Sequence, residues 1–449
     1  MNPLADELNA VLDASPAGPL LSPLGRRLYF PRGIIAQAAE AKKTARINAT
    51  LGMAFQGGRP LILPALARRL PGLNPEETVV YAPTAGVEAF RRAWKEALIR
   101  KNPSLGGLDF SLPVTVPGIT AGISFTADLF LDGGQTILIA SPAWDNYNLI
   151  FTERRRALTR EIPLFVEPPT GAGPSNQAGP GPAGLNLAAF KTALQEEAAS
   201  GVVRILLNFP HNPSGYTPLK AEADALLAAI GEAAAGGASV LAICDDAYFG
   251  LFYEEGTIRE SLFSRLAGLH ERVLAIKIDG PTKEDYVWGL RTGFITFGGK
   301  GLGGEAAGAL EKKLMGAIRS SVSCANTPAQ YLALKIMEDP AAGGEREVFF
   351  KLLRGRYQAV KRFIKETPAA PGLTALPFNS GYFMCFRCGT GNKALNAEAL
   401  RRALLKRGVG TVALEASPGP GYLRVTFAAI EEEEIPAVFR TIYETAGEL

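Results

Sequence analysis

The chain has 449 residues, of which 47% are hydrophobic and 20% are charged. This length exceeds that of one compact core and predicts two domains. Lysine plus arginine (47) nearly balances aspartate plus glutamate (44), which disfavours a nucleic-acid partner. No uncharged apolar run is long enough to cross a membrane and the chain opens without a leader pattern, so we expect a cytoplasmic location and no membrane partner.

Two of the four cysteines, Cys385 and Cys388, have the spacing of a metal or redox pair. The sequence has no second pair, and the histidines His211 and His270 are distant from them, which disfavours a zinc site. Cys385 lies in an apolar run typical of a strand. We therefore expect a buried thiol and no bound metal.

In chain order, the first 60 residues contain one clear helical pattern, at residues 34–45. The next strong signal is an apolar strand at residues 114–116, a small-residue turn, and an apolar helix. Such a turn brings free backbone N–H groups and the positive end of the helix dipole to one point, which favours a phosphate. The sequence lacks the G-x-G-x-x-G pattern there, which disfavours a dinucleotide.

A strand over residues 135–141 ends shortly before Trp144. An aromatic face just past the carboxyl end of a parallel strand suits a planar ligand, although packing in the core is the alternative. Residues 166–185 are rich in proline and glycine and predict a loop or insertion. Two further buried strands are predicted, over residues 202–208 and 239–245.

A last apolar run before residue 280 leads into a turn with Lys283, and Arg291 follows eight residues later. A partly neutral lysine can form an imine with an aldehyde cofactor. Arginine binds phosphate through two parallel hydrogen bonds. Two solvated surface charges are the alternative for this pair taken alone.

Asn-Pro-Ser-Gly at residues 212–215, Asp-x-x-Tyr at 245–248, Lys283 and Arg291 resemble, in order and spacing, the motifs of the fold-type I pyridoxal-phosphate aminotransferases of class I/II. The resemblance extends roughly from Ile47 to Arg424. It implies an α/β fold with a mostly parallel seven-stranded sheet, helices on both faces, and a small α+β domain. The large cofactor-binding domain is expected at residues 61–335, and the small domain at 1–60 and 336–449.

The resemblance implies pyridoxal 5′-phosphate (PLP) as the cofactor and gives each matching residue a role. Lys283 would hold PLP as an imine and move the substrate proton. The phosphate would be bound by Gly118, Ile119, Thr120 and Arg291, and by Tyr81 from the other subunit of a homodimer. The ring would be contacted by Trp144, Asp245, Tyr248 and Asn212, with His211 behind it.

For the substrates, an amino acid and a 2-oxo acid, the resemblance implies contacts with Gly52, Asn212 and Arg424, the last binding the α-carboxylate. Arg319 matches the arginine that binds the side-chain carboxylate of aspartate or glutamate from the neighbouring subunit, so dicarboxylic or aromatic amino acids are favoured. A simple turn at Gly52, a loop aromatic at Tyr81 and a solvated helix end at Arg319 are the alternatives.

The chain departs from the family at Gly280, where relatives have a phosphate-binding serine; Thr282 is the candidate substitute. A PLP-dependent lyase or decarboxylase on the same fold would share these motifs. A non-enzymatic regulator is disfavoured, since the segment before Ile47 is too short for a DNA-binding domain. The acidic residues 431–434 are expected to form the first turn of the last helix.

Overall fold

The computed structural model describes residues 3–13, 23–27, 33–166, 184–300, 302–390, 393–414 and 419–449. Its N-terminal part contains α1 (Pro3–Asp13), α2 (Pro23–Arg27), α3 (Ile34–Thr44), β1 (Ile47–Asn48), β2 (Phe55–Gln56), β3 (Arg59–Pro60), α4 (Pro64–Arg69) and α5 (Glu76–Val79). The helix predicted at residues 34–45 is confirmed as α3. The helices α1 and α2 were not predicted; both begin at a proline, which suits a first helical turn.

A seven-stranded sheet occupies the centre of the described residues. Its strands are β4 (Val114–Val116), β5 (Thr136–Ser141), β6 (Leu158–Pro163), β7 (Val202–Asn208), β8 (Ser239–Asp245), β9 (Val273–Asp279) and β10 (Gly293–Gly298). Their order is β4-β10-β9-β8-β7-β5-β6. The pairs from β6 to β9 are parallel, and β10 is antiparallel to β9 and β4. The predicted mostly parallel sheet is confirmed.

Helices cover both faces of this sheet. They are α6 (Glu88–Lys101), α7 (Ile119–Phe130), α8 (Leu187–Ala198), α9 (Lys220–Ala235), α10 (Leu262–Leu266), α11 (Pro281–Glu284), α12 (Gly304–Arg319) and α13 (Thr327–Met337). Side chains alternate along each strand, so that Ala242 faces the cluster containing α6, α8 and α9, while Ile243 faces the cluster containing α7 and α12.

The C-terminal part is α+β, as predicted. It contains α14 (Ala342–Glu366), β11 (Gly372–Ala375), β12 (Phe383–Thr390), α15 (Ala397–Lys406), β13 (Val409–Gly410), β14 (Val412–Leu414), β15 (Tyr422–Thr426) and α16 (Ile435–Glu448). Four strands form an antiparallel sheet in the order β11-β12-β15-β14. The N-terminal strand β1 pairs with β13, so both ends of the chain contribute to this part.

The structure differs from the sequence prediction at the start of the last helix. The last helix begins at Ile435, after a 3₁₀ turn at Glu432–Glu434, so the predicted start at residue 431 is wrong. Glu431 instead accepts a hydrogen bond of 2.6 Å from the buried Arg356, which also donates to the carbonyl oxygen of Phe55. The predicted loop at 166–185 lies largely outside the described residues.

Cys385 and Cys388 are both buried, and they contribute to different hydrophobic clusters. In the described ranges, no group of three or more His, Cys, Asp or Glu side chains has the arrangement of a metal site. None of the described helices is both long and apolar enough to cross a membrane.

The turn at Gly215 joins the central sheet to the C-terminal part. Gly215 has φ +75°, and a Cβ added there would lie 2.0 Å from the carbonyl oxygen of Phe383 and 2.9 Å from that of Ser380. The backbone N–H groups of Asn379 and Ser380 both donate to the Gly215 carbonyl at 2.9 Å. The turn can pack this closely only because residue 215 has no side chain.

We predict that Gly215→Ala lowers the free energy of unfolding by about 2–4 kcal/mol, through left-handed strain plus overpacking. Gly201→Ala is the matched control, since Gly201 has φ +84° and no atom within 4 Å of its would-be Cβ. The control should cost only about 1–2 kcal/mol. Urea denaturation measures both, and equal losses would show that the contact with Phe383 is unimportant.

Candidate active site

A cavity of about 210 Å³ lies where the carboxyl ends of β7, β8 and β9 meet the start of α7, with residues of the C-terminal part closing one side. Such an edge of an α/β sheet is the usual place for a ligand. Ten of the residues predicted from the sequence line this cavity: Gly52, Ile119, Thr120, Trp144, Asn212, Asp245, Tyr248, Lys283, Arg291 and Arg424.

Four predicted residues do not line it. Gly118 directly precedes α7 and is next to Ile119, which does line the cavity. His211 is buried, with its Nδ1 atom 2.8 Å from the hydroxyl of Ser214. Tyr81 is 89% exposed, and Arg319 is exposed at the last residue of α12. Neither Tyr81 nor Arg319 reaches the cavity of its own chain.

One end of the cavity is built for an anion. Gly118 has φ +93°, and a Cβ there would lie 2.6 Å from the Nη2 atom of Arg291. The absence of a side chain lets the guanidinium rest against the turn that opens α7, next to the Ile119 and Thr120 positions. Arginine and a helix N-terminus together suit a phosphate group.

The structure explains the departure at Gly280. A Cβ at this position would lie 2.8 Å from both the Cα atom of Gly293 and the carbonyl oxygen of Thr292. A serine therefore fits only if the backbone of β10 moves. The hydroxyl nearest to this point in sequence belongs to Thr282, which lines the cavity and lies 3.3 Å from the Thr292 carbonyl oxygen.

Ion pairs hold the lysine turn on both sides. Glu284, next to Lys283, pairs with Lys101 of α6 at 2.5 Å, and the buried Asp285 pairs with Arg346 of α14 at 2.5 Å. Lys283 itself has its Nζ atom 5.2 Å from the ring centre of Tyr248. Burial, and then the positive charge of Arg291, lower the pKa of Lys283 to about 8, although Asp245 opposes this.

Asp245 ends β8 and is 3% exposed. Its carboxylate accepts hydrogen bonds from the hydroxyl of Tyr147 at 2.5 Å and from the backbone N–H of Ala247 at 3.2 Å. Burial raises the pKa of Asp245 to about 6, although these two donors oppose the shift. A buried carboxylate in this state is ready to pair with a cation.

Sequence reasoning missed two polar residues that position the site. Tyr147 follows Trp144 by three residues and binds Asp245, as described above. Asn208 donates to the backbone carbonyl of Asp245 at 2.8 Å and accepts from the backbone N–H of Asn212 at 2.8 Å. Asn208 thus fixes the Asn-Pro-Ser-Gly turn against β8. The position of Asn208 at the end of a predicted buried strand was the signal in the sequence from which this role could have been inferred.

Arg424 comes from β15 and is 2% exposed. Its Nη1 atom donates to Oδ1 of Asn212 at 3.3 Å and its Nη2 atom to the carbonyl oxygen of Thr50 at 2.9 Å, while Nε has no hydrogen-bond partner among the described residues. The guanidinium also lies 4.4 Å from the ring centre of Phe383. Both direct partners are neutral, so this buried cation is suited to receive an anionic ligand.

The sequence model of the family described as aminotransferase class I and II matches residues 54–442. The chain belongs to this family. Aminotransferases of class I and II depend on PLP, so PLP is the cofactor of this aminotransferase, and its substrates are an amino acid and a 2-oxo acid. No curated protein matches the sequence.

Solved structures share the fold of this aminotransferase at low sequence identity. An aminotransferase from Anaerococcus prevotii superposes with a TM-score of 0.77 at 21% identity, covering 93% of this chain and 98% of that one. Kynurenine aminotransferase from Pyrococcus horikoshii gives 0.76 at 16% identity, with 97% and 99% covered. Aspartate aminotransferase from Thermus thermophilus gives 0.67 at 18% identity, with 95% and 99% covered.

The residues of the cavity fit PLP. The glycine-backed turn of α7 and Arg291 suit its phosphate, the half-buried Trp144 offers an aromatic face, and Asp245 can pair with a protonated ring nitrogen. Lys283 supplies an amine with a lowered pKa close to these groups. The donor set thus matches each end of the cofactor in this aminotransferase.

We predict that Lys283 of the PLP-free protein titrates with a pKa near 8, whereas exposed lysines titrate near 10.4. Reductive ¹³C-methylation followed by an NMR pH titration measures this, and Lys283→Ala identifies the signal. Arg291→Met should raise the pKa of Lys283, because Arg291 disfavours its charged form. A Lys283 midpoint near 10 would contradict the environment described above.

Proposed function

We propose that this aminotransferase moves the amino group between an L-amino acid and a 2-oxo acid with Lys283 as the catalytic residue. The observation that carries the proposal is that Lys283 lines one cavity with Asp245 and Arg291. Burial, and then the positive charge of Arg291, lower the pKa of Lys283 to about 8, which leaves about a tenth of its amine neutral at pH 7. A neutral amine could hold the cofactor covalently and, once released, could move a proton from the substrate Cα to the C4′ carbon of the cofactor.

The remaining cavity residues bind and orient. Bound PLP supplies an electron sink for the substrate carbanion. The Asp245 carboxylate keeps the ring nitrogen protonated, Trp144 packs on the ring, and Tyr248 and Asn212 donate to the phenolate oxygen. Gly118, Ile119, Thr120, Thr282 and Arg291 hold the phosphate. Gly52 would lie over the substrate; a Cβ there would be 3.9 Å from the Tyr248 hydroxyl, which is an ordinary van der Waals distance.

We assign the substrate α-carboxylate to Arg424. Its Nε atom lacks a partner, and its two hydrogen bonds are to neutral oxygens, as described above. For the side chain we propose aspartate or glutamate, with aromatic amino acids as further substrates, bound by Arg319 of the neighbouring subunit. The exposed position of Arg319 at the end of α12 supports a role at an interface.

The same reasoning supports a homodimer with shared sites. Large apolar side chains are exposed together with Tyr81 along one stretch of the chain: Ile62 (56%), Leu70 (57%), Val79 (78%) and Val80 (55%). Exposed apolar surface of this kind is typical of a protein contact. In such a dimer Tyr81 would reach the phosphate of the other subunit's cofactor. We divide each subunit into a large domain at residues 61–335 and a small domain at 1–60 and 336–449.

The substrate assignment is tested by comparing Arg319→Ala with Arg424→Ala. Loss of Arg319 should lower kcat/KM for aspartate and glutamate by the equivalent of about 2–5 kcal/mol and leave phenylalanine and alanine little changed. Loss of Arg424 should lower kcat/KM for all four. Lys313→Ala, an exposed residue on the same helix, is the control. Equal losses across substrates in the Arg319 variant would remove the dicarboxylate assignment.

The shared site is tested by subunit mixing. Tyr81→Phe and Lys283→Ala chains, each impaired alone, should regain activity when unfolded and refolded together, because each mixed dimer has one intact site. A random mixture then contains about one intact site in four. Mixing Lys283→Ala with the double variant is the control and should remain inactive. A fully active monomer in sedimentation would contradict the shared site.

A further inference from the structure

A buried ion triplet lies on the sheet face opposite the cofactor cavity. Lys277, in the middle of β9, is 0% exposed; its Nζ atom pairs with Asp246 and lies 3.4 Å from Oδ2 of Asp279. Both carboxylates are buried as well. A lysine is almost never fully buried unless it is paired, so the burial of Lys277 depends on the two carboxylates beside it.

Hydrogen bonds complete the triplet. Asp246 accepts from the hydroxyl of Ser261 at 2.6 Å, and Asp279 accepts from Nε1 of Trp94 at 3.1 Å. The Nζ atom of Lys277 lies 4.6 Å from the ring centre of Phe249. The triplet therefore connects β8 and β9 with α6 and with the residue that begins α10. Each carboxylate of the triplet thus has a hydrogen-bond donor in addition to its contact with Lys277.

The triplet lies beside the strand ends that lead into the active site. Asp246 directly follows Asp245 at the end of β8, and Asp279 ends β9 four residues before Lys283. The segment between Asp279 and Lys283 is only three residues long. Lys277 pairs across the strands with Asp246 and along its own strand with Asp279, so it ties the end of β8, which carries Asp245, to the end of β9, which leads to Lys283.

The triplet also affects charge. Burial disfavours the charged form of Lys277, but attraction to Asp246 and Asp279 is stronger and raises its pKa. The negative charge of Asp246 is among the causes that raise the pKa of Asp245, after burial. Lys277 offsets that negative charge, and the three groups together carry a single net negative charge when ionised.

Other titratable groups lie close to Asp245 and to the triplet. Tyr147, Tyr248 and Lys283 face Asp245, while Cys244 on β8 and Lys101 on α6 act on the triplet. None of these groups is altered in Lys277→Met or Asp246→Asn, so their contributions stay constant between the two test variants and the unaltered protein.

We propose that Lys277 is a positioning residue of the active site: its ion pairs with Asp246 and Asp279 hold the strand ends carrying Asp245 and Lys283 and offset the negative charge that Asp245 faces. The inference rests on the proposed roles of Asp245 and Lys283.

The test uses two substitutions with opposite effects on charge. Lys277→Met makes the triplet more negative, and Asp246→Asn makes it less negative. The readout is the pH midpoint of the visible absorbance of PLP bound to the full-length protein. Lys277→Met should raise this midpoint by roughly one pH unit, and Asp246→Asn should lower it, because added negative charge stabilises a protonated group. Lys277→Met should also weaken PLP binding to the apoenzyme.

Arg401→Met is the control for loss of a buried cation. Arg401 is 4% exposed and pairs with Glu398 at 2.7 Å and Glu40 at 2.8 Å. It should lower the Tm of the apoenzyme without moving the absorbance midpoint. If the midpoint moves in the same direction in both test variants, or does not move in either, the inference is wrong.

Two further outcomes are also decisive. If Lys277→Met does not fold, Asp246→Asn alone decides, and an unchanged or raised midpoint overturns the inference. If the unaltered protein shows no absorbance band that Lys283→Ala removes, the proposed role of Lys283 fails, and the inference falls with it. A Lys283-dependent band with unmoved midpoints rejects the inference and leaves the proposed function intact.

Discussion

The structure depends on bringing several basic side chains together in one cavity of about 210 Å³. Lys283, Arg291 and Arg424 all line it, together with the carboxylate of Asp245. Burial, and then the like charge of Arg291, disfavour the charged form of Lys283, and its lowered pKa records that cost. The same excess of positive charge attracts a phosphate and a carboxylate, so the arrangement that is unfavourable in the empty cavity favours cofactor and substrate.

Close backbone approaches make this cavity possible. Gly118 lets Arg291 rest against the start of α7, and Gly280 lets the lysine turn pass beside β10 with no side chain between them. Gly215 performs the corresponding function at the junction with the C-terminal part, where it packs on the carbonyl oxygen of Phe383. Each glycine removes a side chain where two functional segments meet, which explains why this chain has glycine at these positions.

The C-terminal part completes the site through contacts that are remote in sequence. Arg424 on β15 reaches Asn212 and the carbonyl oxygen of Thr50, and so links three segments. Arg356 on α14 holds the Phe55 carbonyl, three residues beyond Gly52, and the carboxylate of Glu431. The proposed substrate site and the packing of this part are therefore coupled: a change that loosens the hairpin at Phe55 would also disturb the segment that we propose covers the substrate.

The sequence by itself determined the strands, turns and helix starts that present Gly118, Asp245, Lys283 and Arg291, because apolar period and turn residues act locally. Only the tertiary structure decided that Tyr147 binds Asp245, that Asn208 holds the turn at Asn212, and that Lys277 is buried between two acids. The contacts of Tyr147 and Lys277 join residues 98 and 31 positions apart, which no local pattern specifies. Asn208 holds the nearby Asn212 in place while it also binds Asp245, 37 positions away on the neighbouring strand.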